Sequence, residues 1–453
     1  MRSMSVVARW RPLEDMESAR GELTRTTTSV DKDGLALSSV AISDPTNAGP
    51  KIPSWTSPHA FRHIFVPDDD NQCVYDAVVA PTLPRVLEGG RGSFFAYGHS
   101  GSGKTHTIIG YDGKTEAGVC LMAAEKLFEA IAARNNDTGT GTSGERLGIG
   151  FRLFEMRKRS AFDLLNHHKE CHVRQGADGK VHIRGETEML ADGKVRVCPI
   201  VQRVCWSFDE LHHGLTEALA GRAVGSSSVH DQSSRTHAIL ELEIVCASLV
   251  AARQAVIERQ SELVPVGKRA TDIMIEEQGK GILRLPGGGW TRNPDYTVNQ
   301  ARIDAAEAEK NEYEARVAAA EEHADAILTD DGAAPCLGGK MVFVDLAGAE
   351  YHHDKTTAGS KQPIVRQTPQ ERQEGQQINT DLLALKEVMC AWSADQPRIP
   401  FRSSTLTMVL REHFVASEDS DSTMIVTVSP SSGQYAATLN SLKYGSLVGA
   451  VTP

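Results

Sequence analysis

Residues 98–105 read Gly-His-Ser-Gly-Ser-Gly-Lys-Thr, which satisfies the spacing G-x-x-x-x-G-K-[ST] in full. Phosphate chemistry requires these residue types at these places. Gly101 and Gly103 let successive backbone amides converge into a concave nest, and a helix opening at the loop's end adds its positive pole. Lys104 brings a mobile cation to the β and γ phosphates of a nucleotide, and the Thr105 hydroxyl suits Mg²⁺. Gly98, His99, Ser100 and Ser102 complete the loop, and His106 follows it. The apolar run Phe94-Phe95-Ala96-Tyr97 before the loop and a helix-compatible run after it give the strand–loop–helix setting that the motif needs.

Two further motifs lie downstream, Ser233-Ser234-Arg235-Thr236-His237 and Asp345-Leu346-Ala347-Gly348-Ala349-Glu350. Paired hydroxyls at Ser233 and Ser234 suit a metal ion and an attacking water. Asp345, ending an apolar run, suits a metal's water shell. Gly348 has no side chain to keep its amide from a terminal phosphate. Arg235 and Glu350 are opposite charges that could close a latch across a nucleotide. Each motif has a plainer alternative, since hydroxyl pairs are common in loops and a carboxylate after a strand is often a helix cap. Their joint occurrence with the lysine loop, in this order, favours a phosphate site.

These groups need elements to hold them. Residues 341–345 and 424–428 read as buried strands, as does Ile239 to Val245, and helices are expected over 115–134, 374–393 and 403–415. Continuous apolar strands with helices between them predict an α/β fold whose sheet is covered on both faces. Residues 247–336 interrupt this pattern between two strands. They hold a Leu-Pro-Gly-Gly-Gly-Trp break at 285–290 and a helical tract over 299–328. There Ile303, Ala306, Lys310, Tyr313, Val317, Ala320, Ala324 and Ile327 form one narrow seam on an acidic helix. That predicts a surface hairpin packed on residues 248–264, with a dimerising coiled coil as the alternative.

The 453 residues, 40% hydrophobic and 24% charged, are ordinary globular proportions. No run approaches the roughly 20 apolar residues of a membrane helix, so no membrane partner is expected. Eight scattered cysteines without a CxxC pair predict reduced thiols, and the pairs His167-His168, His212-His213 and His352-His353 lack metal-ligand spacing. The net charge of −11 argues against nucleic acid.

The chain resembles the kinesin motor domain over nearly its whole length. The residues that carry the resemblance are Val7-Ala-Arg9-Trp-Arg11-Pro12, the glycine-lysine loop, Ser233 to His237, Asp345 to Glu350, Glu374-Gly-Gln-Gln-Ile378-Asn379, Ile399-Pro-Phe-Arg402 and Val428-Ser-Pro430. The resemblance implies a phosphate-loop NTPase of kinesin type, with a central mixed, mostly parallel sheet flanked by helices and one motor domain over 1–453. It implies a Mg²⁺-dependent ATPase cycling between ATP and ADP, an adenine pocket near Arg9, Arg11, Pro12 and His106, and Ser234 joining Thr105 at Mg²⁺. It also implies that Ser233 places the lytic water and that Glu350 takes up its proton through a relay while paired with Arg235. Residues 374–393 would face tubulin, with 398–411 beside them, in the cytoplasm on the cytoskeleton.

Several positions depart from the family pattern. His230 replaces a usual Asn, Ala349 a usual Ser, and Lys386 a usual Gly. Thr380 and Asp381 replace a basic residue and a Ser, while Ser403, Thr405 and Met408 replace an Asp, a Lys and an Arg. Over 351–416 eight Lys and Arg meet seven Asp and Glu. Weak, salt-sensitive microtubule binding is therefore expected. A non-motile nucleotide-binding scaffold is the alternative function, and a small-molecule kinase is a more distant one. The end at Pro453, soon after the last motif, predicts a longer parent protein.

Overall fold

The computed structural model describes residues 4–32, 35–46, 54–110, 116–137, 145–176, 179–190, 195–224, 235–330, 332–349, 369–415 and 420–450. An eleven-stranded sheet runs through the molecule. From the middle of the sheet to one edge the strands Lys340–Asp345, Arg91–Tyr97, Ser420–Val428, Met4–Trp10 and His63–Phe65 lie parallel to one another. Antiparallel strands extend it beyond Lys340–Asp345, through His237–Cys246 and Leu147–Arg157 to a lobe formed by residues 160–184. The sheet is mixed and carries helices on both faces, as the sequence led one to expect.

Alternation along the strands builds two cores. Phe95, Tyr97, Val342, Val344 and Val426 point to one face, where they meet the Pro369–Ser393, Thr405–Val415 and Tyr435–Gly449 helices. Phe94, Ala96, Met341, Phe343 and Ile425 point to the other, against the Val119–Asp137 and Phe208–Val224 helices. Period-two side-chain geometry explains why the central strands are apolar throughout rather than alternating. Burying a Phe or Val in this way contributes about 1.5–3 kcal/mol each.

Helix boundaries differ from the sequence reading in instructive places. The first long helix begins at Val119, not 115, because Gly118 packs against the Ile108–Gly110 backbone, where a Cβ would stand 2.2 Å from Ile109 C. The 369–393 helix begins five residues before Glu374, in a polar stretch that carries no apolar period.

The 247–336 segment forms a stalk. The helix Ala247–Lys280 runs out from the end of His237–Cys246, and Gln300–Thr329 returns toward Lys340–Asp345. Thirty-four residues make the outward helix roughly 50 Å long. The two helices are antiparallel: Gln260 bonds Glu321 near the base, Arg269 pairs with Glu309 midway, and Arg302 pairs with Glu277 near the far end. Ile303, Ala306 and Ala324 are buried in the seam, and Val266 and Ala270 are the buried residues of the outward helix here. All eight cysteines are free thiols.

Candidate functional site

The loop that follows Arg91–Tyr97 turns through Gly101 and Gly103, whose φ angles of 74° and 96° strain any residue with a Cβ. Gly98 is fixed by space rather than by φ: a Cβ there would stand 2.3 Å from Thr427 O and 2.5 Å from Ser102 Oγ. Beneath the loop, Ser102 Oγ and Thr427 Oγ1 share a 2.7 Å hydrogen bond. Lys104 is buried at the start of the Lys104–Ile108 helix, and its Nζ donates to Gly98 O at 3.2 Å and His99 O at 2.9 Å. The ammonium is thus held inside the arc of the loop by backbone carbonyls.

The Asp345 turn lies against the loop. Thr105 Oγ1 donates to Asp345 Oδ2 at 2.7 Å, Ala349 N donates to Gly98 O at 3.1 Å, and His99 pairs with Ala349 as an isolated β-bridge. A Cβ on Gly348 would meet Ser100 N at 2.8 Å. The glycine that the sequence associated with a phosphate contact is therefore also required for the turn to seat on the loop. A hydroxyl and a carboxylate within 2.7 Å, beside a buried ammonium and glycines whose Cβ space is filled, fit a magnesium–nucleotide ligand.

Of the Ser233–His237 run, Arg235, Thr236 and His237 are described. Ser233, Ser234, His230 and Glu350 lie outside the described residues. His237 is buried, and its Nδ1 accepts from Ala347 N at 3.0 Å. Burial, with the Lys104 charge as a lesser cause, lowers its pKa to about 3, so the ring is neutral. His99 is likewise held neutral, at about 4, chiefly by burial. Arg235 Nη1 stands 3.9 Å from Glu374 Oε2, and Glu374 also takes Arg157 at 2.7 Å and Lys158 at 3.8 Å. A carboxylate from the 369–393 helix thus stands within ion-pair range of this arginine, which the family resemblance had paired with Glu350.

Arg9 and Arg11 are brought to one side of the loop, in different roles. Arg9 is buried, with Nη1 donating to Asn71 Oδ1 at 2.5 Å and to Thr107 Oγ1 at 2.8 Å. Arg11 passes Gly103, its Cβ 3.9 Å from where a Gly103 Cβ would be, and donates to Glu17 Oε1 at 2.7 Å. Pro12 is exposed, and half-buried His106 pairs with Glu116 at 3.0 Å. Sequence reasoning missed Asn71, which bonds Arg9, His106 O and Ala117 O, and also missed Thr107, Thr427, Glu17 and Glu374. Glu374 opens a motif, but one that the resemblance assigns to the track-facing helix; the others stand outside every motif spelling.

On the expected tubulin-facing surface, Glu374 and Asp381, two of the acids counted from sequence, are buried among the described residues. Burial raises Asp381 to about 6 despite its bond from Gln377. Arg402 donates to Gln175 Oε1 and Arg411 to Gly179 O, so both reach the 160–184 lobe. Among the described residues, no group of three His, Cys, Asp or Glu could hold a metal ion by itself.

A family model described as kinesin motor domain matches residues 9–266 and 317–451. The chain is 27% identical over 447 residues to kinesin-like protein KIN-13B of Arabidopsis thaliana, covering 98% of this chain and 47% of that protein. It is 28% identical over 453 residues to kinesin-like protein KIN-13A of Oryza sativa subsp. japonica, covering 98% and 41%. The chain therefore spans less than half the length of these relatives. Among solved structures, mutants of a kinesin motor ATPase and a fast kinesin each align with a TM-score of 0.58 at 20% identity. They cover 99% of this chain, and 100% and 92% of theirs.

Proposed function

The chain belongs to the kinesin motor domain family, and on that premise we propose that it binds and hydrolyses Mg-ATP and couples the cycle to a microtubule. The observation that carries this reading is the Thr105–Asp345 hydrogen bond beside the buried Lys104. It places a metal-suited hydroxyl, a carboxylate and a cation at one glycine cradle.

Mg-ATP, when bound, supplies the phosphoanhydride that is cleaved, and the metal would be held by Thr105 and Ser234, with Asp345 reaching it through water. The loop amides and Lys104 bind the phosphates, while Arg9, Arg11, Pro12 and His106 frame the base. Ser233 positions water, and Glu350 takes up its proton beside Arg235. Gly348 keeps the turn against the loop so that nucleotide state is felt at the 369–393 helix, through Arg235 and Glu374.

Track binding is weak and salt-sensitive in this reading, because Arg402 and Arg411 are partly engaged within the molecule and exposed charges are screened beyond about 8 Å at physiological ionic strength. With loop, hydroxyl and carboxylate all in place, the scaffold alternative is not favoured. Steady-state ATPase with and without polymerised tubulin tests the proposal. Stimulation by tubulin is expected; bound nucleotide with no turnover would overturn the enzymatic part.

A further inference from the structure

The far end of the stalk is a two-stranded antiparallel ribbon, Ile282–Arg284 paired with Trp290–Arg292. The ribbon falls in the stretch between 266 and 317 that the family model does not match. Its backbone is well specified. Leu285 N donates to Gly289 O, Gly288 and Gly289 turn through φ of 86° and 97°, and Asn293 ties the returning strand to Gly281 O and Lys280 O. Its side chains, by contrast, pack on little. Trp290 is 71% exposed, Leu285 46%, and Ile282 and Leu283 44% each. An isolated ribbon gains little from its own burial, and large apolar side chains left exposed at the end of a long arm mark a contact site more than a fold requirement.

Charge and order along the arm select the partner. No Asp or Glu occurs from Gln278 to Pro294, whereas Lys280, Arg284 and Arg292 all do, in a chain of net charge −11. Lys280 pairs with Glu276, but neither Arg284 nor Arg292 has an ion pair among the described residues. Leu285 and Pro286, both uncharged, open the outermost turn, which closes at Gly289. Behind them the register sets Arg284 opposite Trp290 and Arg292 opposite Ile282, with Lys280 further back. Apolar groups outermost and a collar of cations one step behind match the layering of an anionic bilayer, where acyl chains lie beneath a plane of phosphates. Tryptophan is suited to that boundary by its apolar body and single N–H. An acidic protein surface would accept the cations but gives no reason for the apolar groups to lead.

We propose that this ribbon is a peripheral docking tip for an anionic lipid surface. It touches the bilayer without spanning it; among the described residues no helix is long and apolar enough to cross one. The proposal is independent of the nucleotide site, which lies at the other end of the stalk's parent strands.

The test is co-sedimentation of the whole chain with phosphatidylcholine vesicles, with and without phosphatidylserine. Wild type should pellet with the anionic vesicles and dissociate as salt rises. Arg284→Glu with Arg292→Glu, and Trp290→Ser separately, should abolish pelleting. Even neutralising one arginine should weaken binding about fivefold, the factor corresponding to about 1 kcal/mol per cation near such a surface. Bromine-labelled phosphatidylcholine in the same vesicles should quench tryptophan emission of the wild type, a readout that needs no variant. Absence of pelleting and quenching at low salt would overturn the proposal, as would variants that pellet like wild type. Polymerised tubulin binding lost in the same variants, with vesicles inert, would overturn it too and reassign the tip to an acidic protein.

Discussion

His237 accepts a hydrogen bond from the backbone amide of Ala347 across 3.0 Å. The residue that closes the Ser233–His237 run thereby holds the middle of the Asp345–Glu350 turn. Replacing it with alanine leaves a buried amide without its acceptor, at a cost of about 1–3 kcal/mol. Asn at the same position can still accept. His237→Ala should lower the thermal midpoint and ATPase together, and His237→Asn should recover most of both. Equal loss in the two variants would show that the bond is not what matters.

Acid should weaken the fold through the same residue. His237 and His99 have folded pKa values of about 3 and about 4, below the ordinary histidine range, because burial disfavours their charged forms. The unfolded chain takes up these protons first, below pH of about 6.5. Stability from the neutral rings is therefore complete above that pH and is lost as pH falls through the window down to about 3–4. Each ring contributes up to roughly 1.4 kcal/mol per pH unit within it. Denaturant titrations at pH 7 and pH 5 should show the drop, and His99→Gln should reduce it.

Two glycines should tolerate alanine poorly for different reasons. A Cβ at Gly98 meets Thr427 O at 2.3 Å, a backbone atom of the central sheet, so Gly98→Ala should destabilise by about 1–3 kcal/mol. At Gly348 the nearest atom is Ser100 N at 2.8 Å. There the turn and loop can separate, so Gly348→Ala should fold but lose ATPase by at least about tenfold. Calorimetry and steady-state turnover distinguish the two, and normal turnover in Gly348→Ala would contradict the seating argument.

Glu350→Ala tests the proton relay. Nucleotide affinity should stay near normal while hydrolysis slows by about 10²–10⁴-fold, the usual contribution of a positioned general base. Single-turnover measurements with labelled ATP would read it directly; hydrolysis at the wild-type rate would remove Glu350 from the role.

The sequence disclosed what is local. The loop spelling announced Gly98 to Thr105, and the spacing from Ile303 to Ile327 announced which face of the returning helix is covered; Ile303, Ala306 and Ala324 are indeed buried. It could not disclose partners brought by topology. Asn71 meets Arg9 from 62 residues away, and Thr427 lies under Ser102 at a separation of 325. Glu374 belongs to a helix that was assigned to track contact, yet its carboxylate is buried among Arg157, Lys158 and Arg235. The apolar lead of the stalk's tip was also invisible, because the Pro-Gly-Gly-Gly stretch reads simply as a break.

The stalk is spliced between two neighbouring strands whose opposite ends carry Arg235 with His237 and Asp345 with Gly348. From Glu243–Lys340 to Ala238–Asp345 these strands are joined rung by rung, about 20 Å of extended backbone. A tug or twist at the distant arm therefore has a short mechanical route into both segments that border the phosphates. Whatever cargo or surface loads that arm is wired, through covalent chain, to the chemistry at the far end.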